Sequence, residues 1–132
     1  MTDPIESIRS ICSGPPEAVR WACLLEATSP KAGNVYPGQA FTDLAYVDFV
    51  AAAEIASKQL GNPKLKISQR MLSAVDETYS LTKTNVNLGI ILLLGPLVAA
   101  DENMIKQAKS PRDDFAWKES IAAALDLSLI HI

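Results

Sequence analysis

The sequence predicts an all-α fold, a multi-helix bundle of about five to six helices that forms an incomplete domain. Apolar residues recur at helical spacing almost throughout, and the alternation that is typical of strands is absent. Pro and Gly cluster between the apolar segments, where they mark the connections. With 132 residues, of which 48% are hydrophobic and 20% charged, the chain has a globular composition and suits one domain or half of a larger one.

The first two predicted helices flank the segment Gly14-Pro15-Pro16. A short helix is expected over residues 3–12, and a second over residues 16–28, because Pro is tolerated in the first turn of a helix. The inner residues of the second helix are apolar except for Arg20 and Glu26. Because it is apolar around most of its circumference, we expect this helix to be central.

The third predicted helix follows a segment rich in Pro and Gly and runs to Leu60. Thr42 is a plausible N-cap for it, and Asp43 is then well placed in the first turn. Glu54 and Lys58 form a favourable pair, four residues apart, on its solvent side.

Three further helices are predicted after Leu60. Residues 67–82 carry an apolar stripe with a four-residue step, at Ile67, Met71, Val75 and Tyr79. Residues 88–100 are the most hydrophobic stretch, too short and too interrupted to span a bilayer, so we expect a buried core helix that Pro96 kinks. Ser110-Pro111 begins a last helix that runs to Leu125.

Charge and cysteine content exclude several classes of protein. The formal net charge is −3 and the Lys and Arg residues are scattered, so no broad basic surface is available for nucleic acid. The amino terminus has no apolar core, which favours a cytoplasmic protein. Cys12 and Cys23 are expected to be small buried residues without a disulfide, and with His131 far along the chain they make no zinc site.

The first polar segment with possible chemistry covers residues 26–35. Glu26 lies near the carboxyl end of an apolar helix, where the helix dipole disfavours a negative charge. A carboxylate there needs a partner, which Lys31 or a bound cation can supply. Two interpretations stay open: a structural ion pair that ties the loop to the helix, and a functional site.

The second polar segment, residues 84–89, opens the most hydrophobic helix. Asn85 or Asn87 can cap this helix, and the N–H groups of its first turn offer a place for a phosphate. Gly89 allows a ligand or another backbone to approach closely. Simple capping of a core helix is the alternative.

Together these segments resemble a known enzyme family. Glu-Ala-Thr-Ser-Pro-Lys-x-Gly-Asn-Val at 26–35, Asp43, Asp48-Phe49 and Thr-Asn-x-Asn-Leu-Gly-Ile-Ile-Leu-Leu-Leu at 84–94 resemble the triphosphoribosyl-dephospho-CoA synthase family. The resemblance implies an all-α enzyme that joins the triphosphoribosyl group of ATP to a hydroxyl of 3′-dephospho-CoA and releases adenine. The family usually has Pro where Ala32 stands, an acid where Ala45 stands and often His where Asn87 stands, which indicates a divergent branch.

The resemblance and the chemistry of the reaction suggest a role for each site residue. Glu26 is expected to be the carboxylate beside the ribose carbon, because adenine leaves through a cation-like sugar. Lys31 would neutralise phosphate, with the backbone of Gly33 and Asn34 closing over it.

Metal and substrate contacts are expected from the remaining residues. Asp43 and Asp48 would hold the Mg²⁺ that accompanies ATP, through carboxylate and phosphate oxygens. The other predicted substrate-binding residues lie at the start of the hydrophobic helix: Thr84, Asn85, Asn87 and Gly89. Each acid also has a structural alternative. Asp43 can be an acid in the first turn of a helix, and Asp48 can lie on a solvated helix face.

The last six residues, 127–132, resemble the translated end sequence of a transposase used in sequencing, and we expect them to be a non-native tail. A genuine apolar tail is the alternative. Members of the family are longer, so residues 1–126 would be the amino-terminal part of a single all-α catalytic domain whose carboxyl-terminal half is missing. Such a polypeptide is expected to be poorly soluble and inactive.

Two other functions remain open at this level. One is a helical interaction module without catalysis, whose melting temperature ATP with Mg²⁺ would leave unchanged. The other is a related nucleotide-dependent transferase with a different acceptor, which only a product assay on the full-length protein would distinguish.

Overall fold

Six α-helices and no strands make up the part of the chain that the computed structural model describes, which is residues 4–28, 45–107 and 114–130. Side chains are described for residues 6–28, 45–107 and 114–126. The all-α prediction is confirmed. The helices are α1 Pro4–Ile11, α2 Pro15–Thr28, α3 Tyr46–Leu60, α4 Ile67–Thr82, α5 Leu88–Lys106 and α6 Asp114–Ile130.

The start of α3 corrects the sequence prediction. The helix begins at Tyr46 with Ala45 as its N-cap, so the assignment of Thr42 as N-cap and Asp43 as first-turn acid was wrong. Asp48 is the acid of the first turn instead, and its Oδ2 accepts a hydrogen bond of 2.9 Å from the Ala45 N–H. The Asp48 N–H in turn donates to the Ala45 carbonyl over 3.0 Å, which closes the first turn.

Helices α2 and α3 run antiparallel and in close contact. The Thr28 Oγ1 at the end of α2 lies 3.0 Å from the Tyr46 hydroxyl at the start of α3. At the other end, the Ser57 hydroxyl donates to the Pro16 carbonyl over 2.6 Å. A Cβ added at Gly61, the C-cap of α3, would lie 3.0 Å from the Cβ of Pro16, so only glycine allows this close approach without a shift.

Only one face of α2 is buried, which corrects the expectation of a central helix. Val19, Cys23 and Ala27 are buried, whereas Ala18 is exposed and Leu25 is 39% exposed. The prediction from apolar composition therefore overestimated how much of α2 is buried, because α2 packs mainly against the single neighbour α3.

The exposed charges of α3 pair with neighbouring helices. Glu54 lies 3.8 Å from Arg20 of α2, and Lys58 lies 3.6 Å from Glu77 of α4. Contacts between helices therefore replace the predicted pair between Glu54 and Lys58. The residue periodicity of one helix does not reveal such contacts.

The buried face of α4 is displaced from the predicted apolar stripe. Ile67, Met71 and Val75 pack against the core as partly buried residues, but Tyr79 is 52% exposed. The fully buried positions are Arg70, Ala74 and Thr78. One small and two polar residues thus form the buried face of α4. Hydrophobicity alone would place the two polar residues on the surface.

Helix α5 is longer than predicted, because it continues through Pro96 to Lys106. Its 19 residues are long and apolar enough to cross a membrane by length and composition alone, as core helices of soluble proteins also are. One face is buried in the bundle, with Ile91 and Val98 in the core cluster. The opposite face exposes Leu92 by 53% and Leu93 by 64%, so the predicted full burial holds for one side only.

A buried arginine joins α3, α4 and α5. Arg70, only 4% exposed, makes a bidentate pair with Glu102, with N–O distances of 2.6 Å and 3.1 Å. Its Nε also donates to the Leu65 carbonyl over 2.7 Å, and its Nη1 to the Leu60 carbonyl over 3.1 Å. One side chain thus connects the end of α3, the following loop, the start of α4 and the last turns of α5.

Replacing this arginine tests its contribution to stability. We expect Arg70→Met to lower the free energy of unfolding by about 3 kcal/mol, because it leaves Glu102 and two carbonyls without their donor. Lys58→Met, which removes the exposed Lys58–Glu77 pair, is the control and should cost less than about 1 kcal/mol. Chemical denaturation of both variants measures the difference, and equal losses would contradict the structural role of Arg70.

The two cysteines have no disulfide, as predicted. Cys23 is 1% exposed in the core, and Cys12 is partly buried. Burial raises the pKa of the Cys23 thiol from 9.0 to about 11, because desolvation disfavours the thiolate.

This pKa shift predicts a dependence of stability on pH. The folded state holds the Cys23 proton more tightly than the unfolded state, so the free energy of unfolding should fall as pH rises from 9.0 to about 11. The loss is on the order of 2 kcal/mol, and Cys23→Ala should lack this component. Denaturation curves of the two proteins between these pH values measure it, and identical pH profiles would refute the assignment.

Candidate functional site

One end of the bundle holds every described residue of the predicted site. Helix α2 ends there and α3 begins there, as the contact between Thr28 and Tyr46 shows. At the opposite end, Ser57 of α3 binds the start of α2, and Arg70 of α4 binds the end of α3 and the last turns of α5, so α2 and α5 run in opposite directions. The last turn of α2 therefore lies towards the first turn of α5, next to the end of α4. We call this region the site end.

Glu26 lies in the last turn of α2 and is half-buried. That turn contains no basic residue, so α2 itself does not compensate the negative end of its dipole. The neighbouring Thr28 hydroxyl donates back to the Leu24 carbonyl over 2.6 Å and contacts Tyr46, which closes the end of the helix.

Four predicted site residues, Lys31, Gly33, Asn34 and Asp43, lie outside the described residues.

Asp48 stands on α3, close to the site end. Its Oδ2 is occupied by the Ala45 N–H, so the residue has a structural role at the N-terminus of α3. A carboxylate has further lone pairs for a cation, so this bond does not conflict with a role in Mg²⁺ binding. Among the described residues no group of three or more His, Cys, Asp or Glu side chains could hold a metal ion.

The turn between α4 and α5 is held by short local bonds. Lys83 ends α4 in a left-handed conformation with φ of 61°, and its N–H donates to the Tyr79 carbonyl over 2.8 Å. The Thr82 hydroxyl lies 2.9 Å from the Thr78 carbonyl oxygen, 3.1 Å from the Thr84 carbonyl oxygen and 3.2 Å from the Thr84 hydroxyl. Val86, 5% exposed, anchors the turn in the core. These contacts place the Thr84 hydroxyl beside that of Thr82.

Asn87 occupies the N-cap position of α5 but does not cap the helix with its side chain. Its backbone is left-handed, with φ of 63°, whereas a capping side chain requires an extended backbone at this position. Its carbonyl accepts the Ile91 N–H over 2.9 Å, and its Nδ2 is buried without a hydrogen-bond partner. The prediction that Asn85 or Asn87 caps this helix is therefore right for the position of Asn87 and wrong for a bond from its side chain. Asn85 is exposed, and its carbonyl accepts the Leu88 N–H over 3.2 Å.

Gly89 leaves open space beside the first turn of α5. It is exposed, and a Cβ added to it would meet no atom within 4 Å. Gly95, two turns later, is the opposite case, because an added Cβ would lie 2.8 Å from the Met71 Cγ. A side chain at position 95 would therefore clash where α5 packs on α4. Position 89 has room for one.

Two features of the structure escaped the sequence analysis. The first is Tyr46, whose hydroxyl reaches the last residue of α2 across 18 positions of sequence. The second is a cleft of about 660 Å³ between α1, α2, α5 and α6, with Arg9, Asp101 and Trp117 among its lining residues. Both arise between segments that are distant in the chain, and no local pattern marks them.

The backbone conformation of Asn87 yields a stability prediction. Asn87→Gly should retain the turn, whereas Asn87→Ala should cost about 1 kcal/mol more, because a Cβ is disfavoured at positive φ and Asn tolerates it best after Gly. Asn85→Ala, at an exposed neighbouring position, is the control and should change stability by less than about 0.5 kcal/mol. Denaturation curves measure these differences, and an Ala variant as stable as the Gly variant would argue against the left-handed turn.

Comparison with known proteins identifies the family. The family model CitG, described as ATP:dephospho-CoA triphosphoribosyl transferase, matches residues 12–128. No curated protein and no solved structure gives a significant match. The matched range includes both polar segments and every predicted site residue. Because the match covers most of the chain, this protein belongs to the ATP:dephospho-CoA triphosphoribosyl transferase family.

Proposed function

We propose that this chain carries the site of a transferase that joins the triphosphoribosyl group of ATP to 3′-dephospho-CoA and releases adenine. The family match over residues 12–128 is the observation that carries the proposal. The common location of Glu26, Asp48 and residues 84–89 at the site end supports it, because a single nucleotide would have to contact all of them.

In this reaction the bond between the ribose C1′ and adenine breaks, and a bond from C1′ to the acceptor hydroxyl oxygen forms. Adenine leaves with its electron pair and takes up a proton, while the acceptor hydroxyl loses one. The sugar carries positive charge in the transition state. Glu26 is suited to stabilise that charge, since its carboxylate and the carboxyl end of α2 both present negative potential.

The triphosphate needs the opposite potential, which the start of α5 supplies. The amino-terminal end of a helix carries partial positive charge and N–H groups that bind phosphate. Gly89 leaves the approach to this turn open. Asn85 and Asn87 would donate amide hydrogens, and Thr84 a hydroxyl, to ribose or phosphate oxygens.

The remaining roles follow from the chemistry of MgATP as substrate. Lys31 would neutralise a phosphate as a point charge, and the backbone of Gly33 and Asn34 would close over it. Asp43 and Asp48 would bind the Mg²⁺, with Asp48 using the oxygen that does not accept the Ala45 N–H. We also propose a cytoplasmic location, because both substrates are soluble nucleotides of the cytoplasm.

Substitution of Glu26 tests the catalytic role. Glu26→Gln should lower adenine release from ATP and dephospho-CoA by about 100-fold or more, since it removes the negative charge beside C1′. Glu54→Gln, on an exposed glutamate of α3, is the control and should retain activity. Chromatographic quantification of adenine, with melting curves to verify folding, gives the result; a fully active Glu26→Gln enzyme would exclude Glu26 from the site.

Binding of MgATP provides a second measurement that does not depend on turnover. At a ligand concentration about 100 times the dissociation constant, bound MgATP should stabilise the fold by about 2.7 kcal/mol. A melting temperature that MgATP leaves unchanged, together with no adenine release, would reject the proposed function and favour the interaction module.

A further inference from the structure

The cleft between α1, α2, α5 and α6 has the size and lining of a ligand site. Its volume of about 660 Å³ lies within the range of about 300–1,000 Å³ that is usual for such sites. Val19 and Val98, 3% and 5% exposed, form its floor as part of the core. Aliphatic side chains and Trp117 supply most of the remaining lining.

The cleft is elongated along two antiparallel helices. Its lining runs from Pro15 to Ala22 on α2 and from Leu94 to Ile105 on α5. At about 1.5 Å of rise per residue, the α5 wall is about 16 Å long. Such a shape suits a chain-like ligand better than a compact one.

One end of the cleft points to the site end. Ala18, Ala22 and Glu26 follow each other at four-residue steps and so share one face of α2, with Ala18 and Ala22 in the cleft lining. Glu26 is therefore about one helical turn, roughly 5.4 Å, beyond the last lining residue of α2. On α5, Asn87 precedes the lining residue Leu94 by seven residues, about two turns. A ligand in the cleft would extend towards both residues.

The other end of the cleft is polar, and hydrogen bonds connect the residues around it. Arg9, Cys12 and Ser13 line it, where α1 meets α2. The Glu17 carboxylate fixes this junction by accepting the Ser13 hydroxyl over 2.9 Å and the Ser13 N–H over 3.3 Å. Asp101 adds a carboxylate on the α5 side. Hydrogen-bonding groups thus lie at the far end and along one side of an otherwise apolar channel.

Dephospho-CoA, the acceptor of the family, has the matching chemistry. It consists of an adenosine diphosphate and a long pantetheine arm, in which methylene segments alternate with amides and end in a thiol. We propose that this cleft binds the pantetheine arm, with the thiol towards Arg9 and Cys12 and the adenosine ribose towards Glu26. The proposal rests on the proposed function, and it adds the path by which the acceptor reaches the reacting sugar.

A variant that fills the cleft tests this assignment. Ala18 is exposed in the lining, so Ala18→Trp should fold normally and occlude the channel. Ala122→Trp, at an exposed position of α6 outside the lining, is the matched control. The measurement is the affinity of each protein for dephospho-CoA, for ADP, which lacks the arm, and for MgATP, by calorimetry.

The arm should make dephospho-CoA bind at least about tenfold more tightly than ADP to the unaltered protein. Ala18→Trp should erase that difference and leave the MgATP affinity unchanged, whereas Ala122→Trp should preserve all three affinities. An Ala18→Trp protein that binds dephospho-CoA normally would overturn the cleft assignment alone and leave the proposed function intact. Absence of binding of both MgATP and dephospho-CoA to the unaltered protein would overturn both.

Thiol protection gives an independent readout on the unaltered chain. Saturating dephospho-CoA whose thiol has been methylated, so that it cannot consume the reagent, should slow alkylation of Cys12 by about tenfold or more, because the arm covers this side chain. ADP should leave the rate unchanged, and Cys23, buried in the core, should react slowly in all conditions. Alkylation of Cys12 at the same rate with and without the methylated dephospho-CoA would contradict the proposal.

Discussion

The bidentate pair between Arg70 and Glu102 is the interaction on which the arrangement of the helices depends. A buried guanidinium is costly unless its donors meet acceptors, and Arg70 meets Glu102 and the carbonyls of Leu60 and Leu65. These acceptors belong to the end of α3, the following loop and the last turns of α5. The pair therefore fixes the directions of α3, α4 and α5 at the end of the bundle opposite the site end, where small residues such as Gly61 permit close packing.

Because the helices alternate in direction, the site end combines helix termini of opposite polarity. The carboxyl end of α2 presents negative potential near Glu26, and the amino end of α5 presents positive potential near Gly89. A nucleotide whose ribose becomes cationic while its phosphates stay anionic needs this combination. In the proposed reaction this arrangement would give the acid at the end of α2 a role, although the acid is unfavourable for α2 alone.

Local chemistry explains which site residues could be predicted and which could not. The approach to Gly89 is open, as its lack of a side chain suggested. Asn87 stands at the N-cap position as predicted, but its side chain makes no capping bond, because its backbone is left-handed. Asp48 proved to be the first-turn acid of α3, a structural role that the prediction had given to Asp43.

The sequence by itself determined the helical class, the breaks at Gly14 and Gly61, and membership of the family through its two polar motifs. These features depend on local backbone preferences and on residue identity, so they can be read along the chain. Only the tertiary structure decided that Arg70 is buried while Tyr79 is exposed, that Glu54 pairs with Arg20, and that a cleft lies between α1, α2, α5 and α6. Each of these depends on which helices become neighbours, and contacts between distant segments leave no signature in the periodicity of either one.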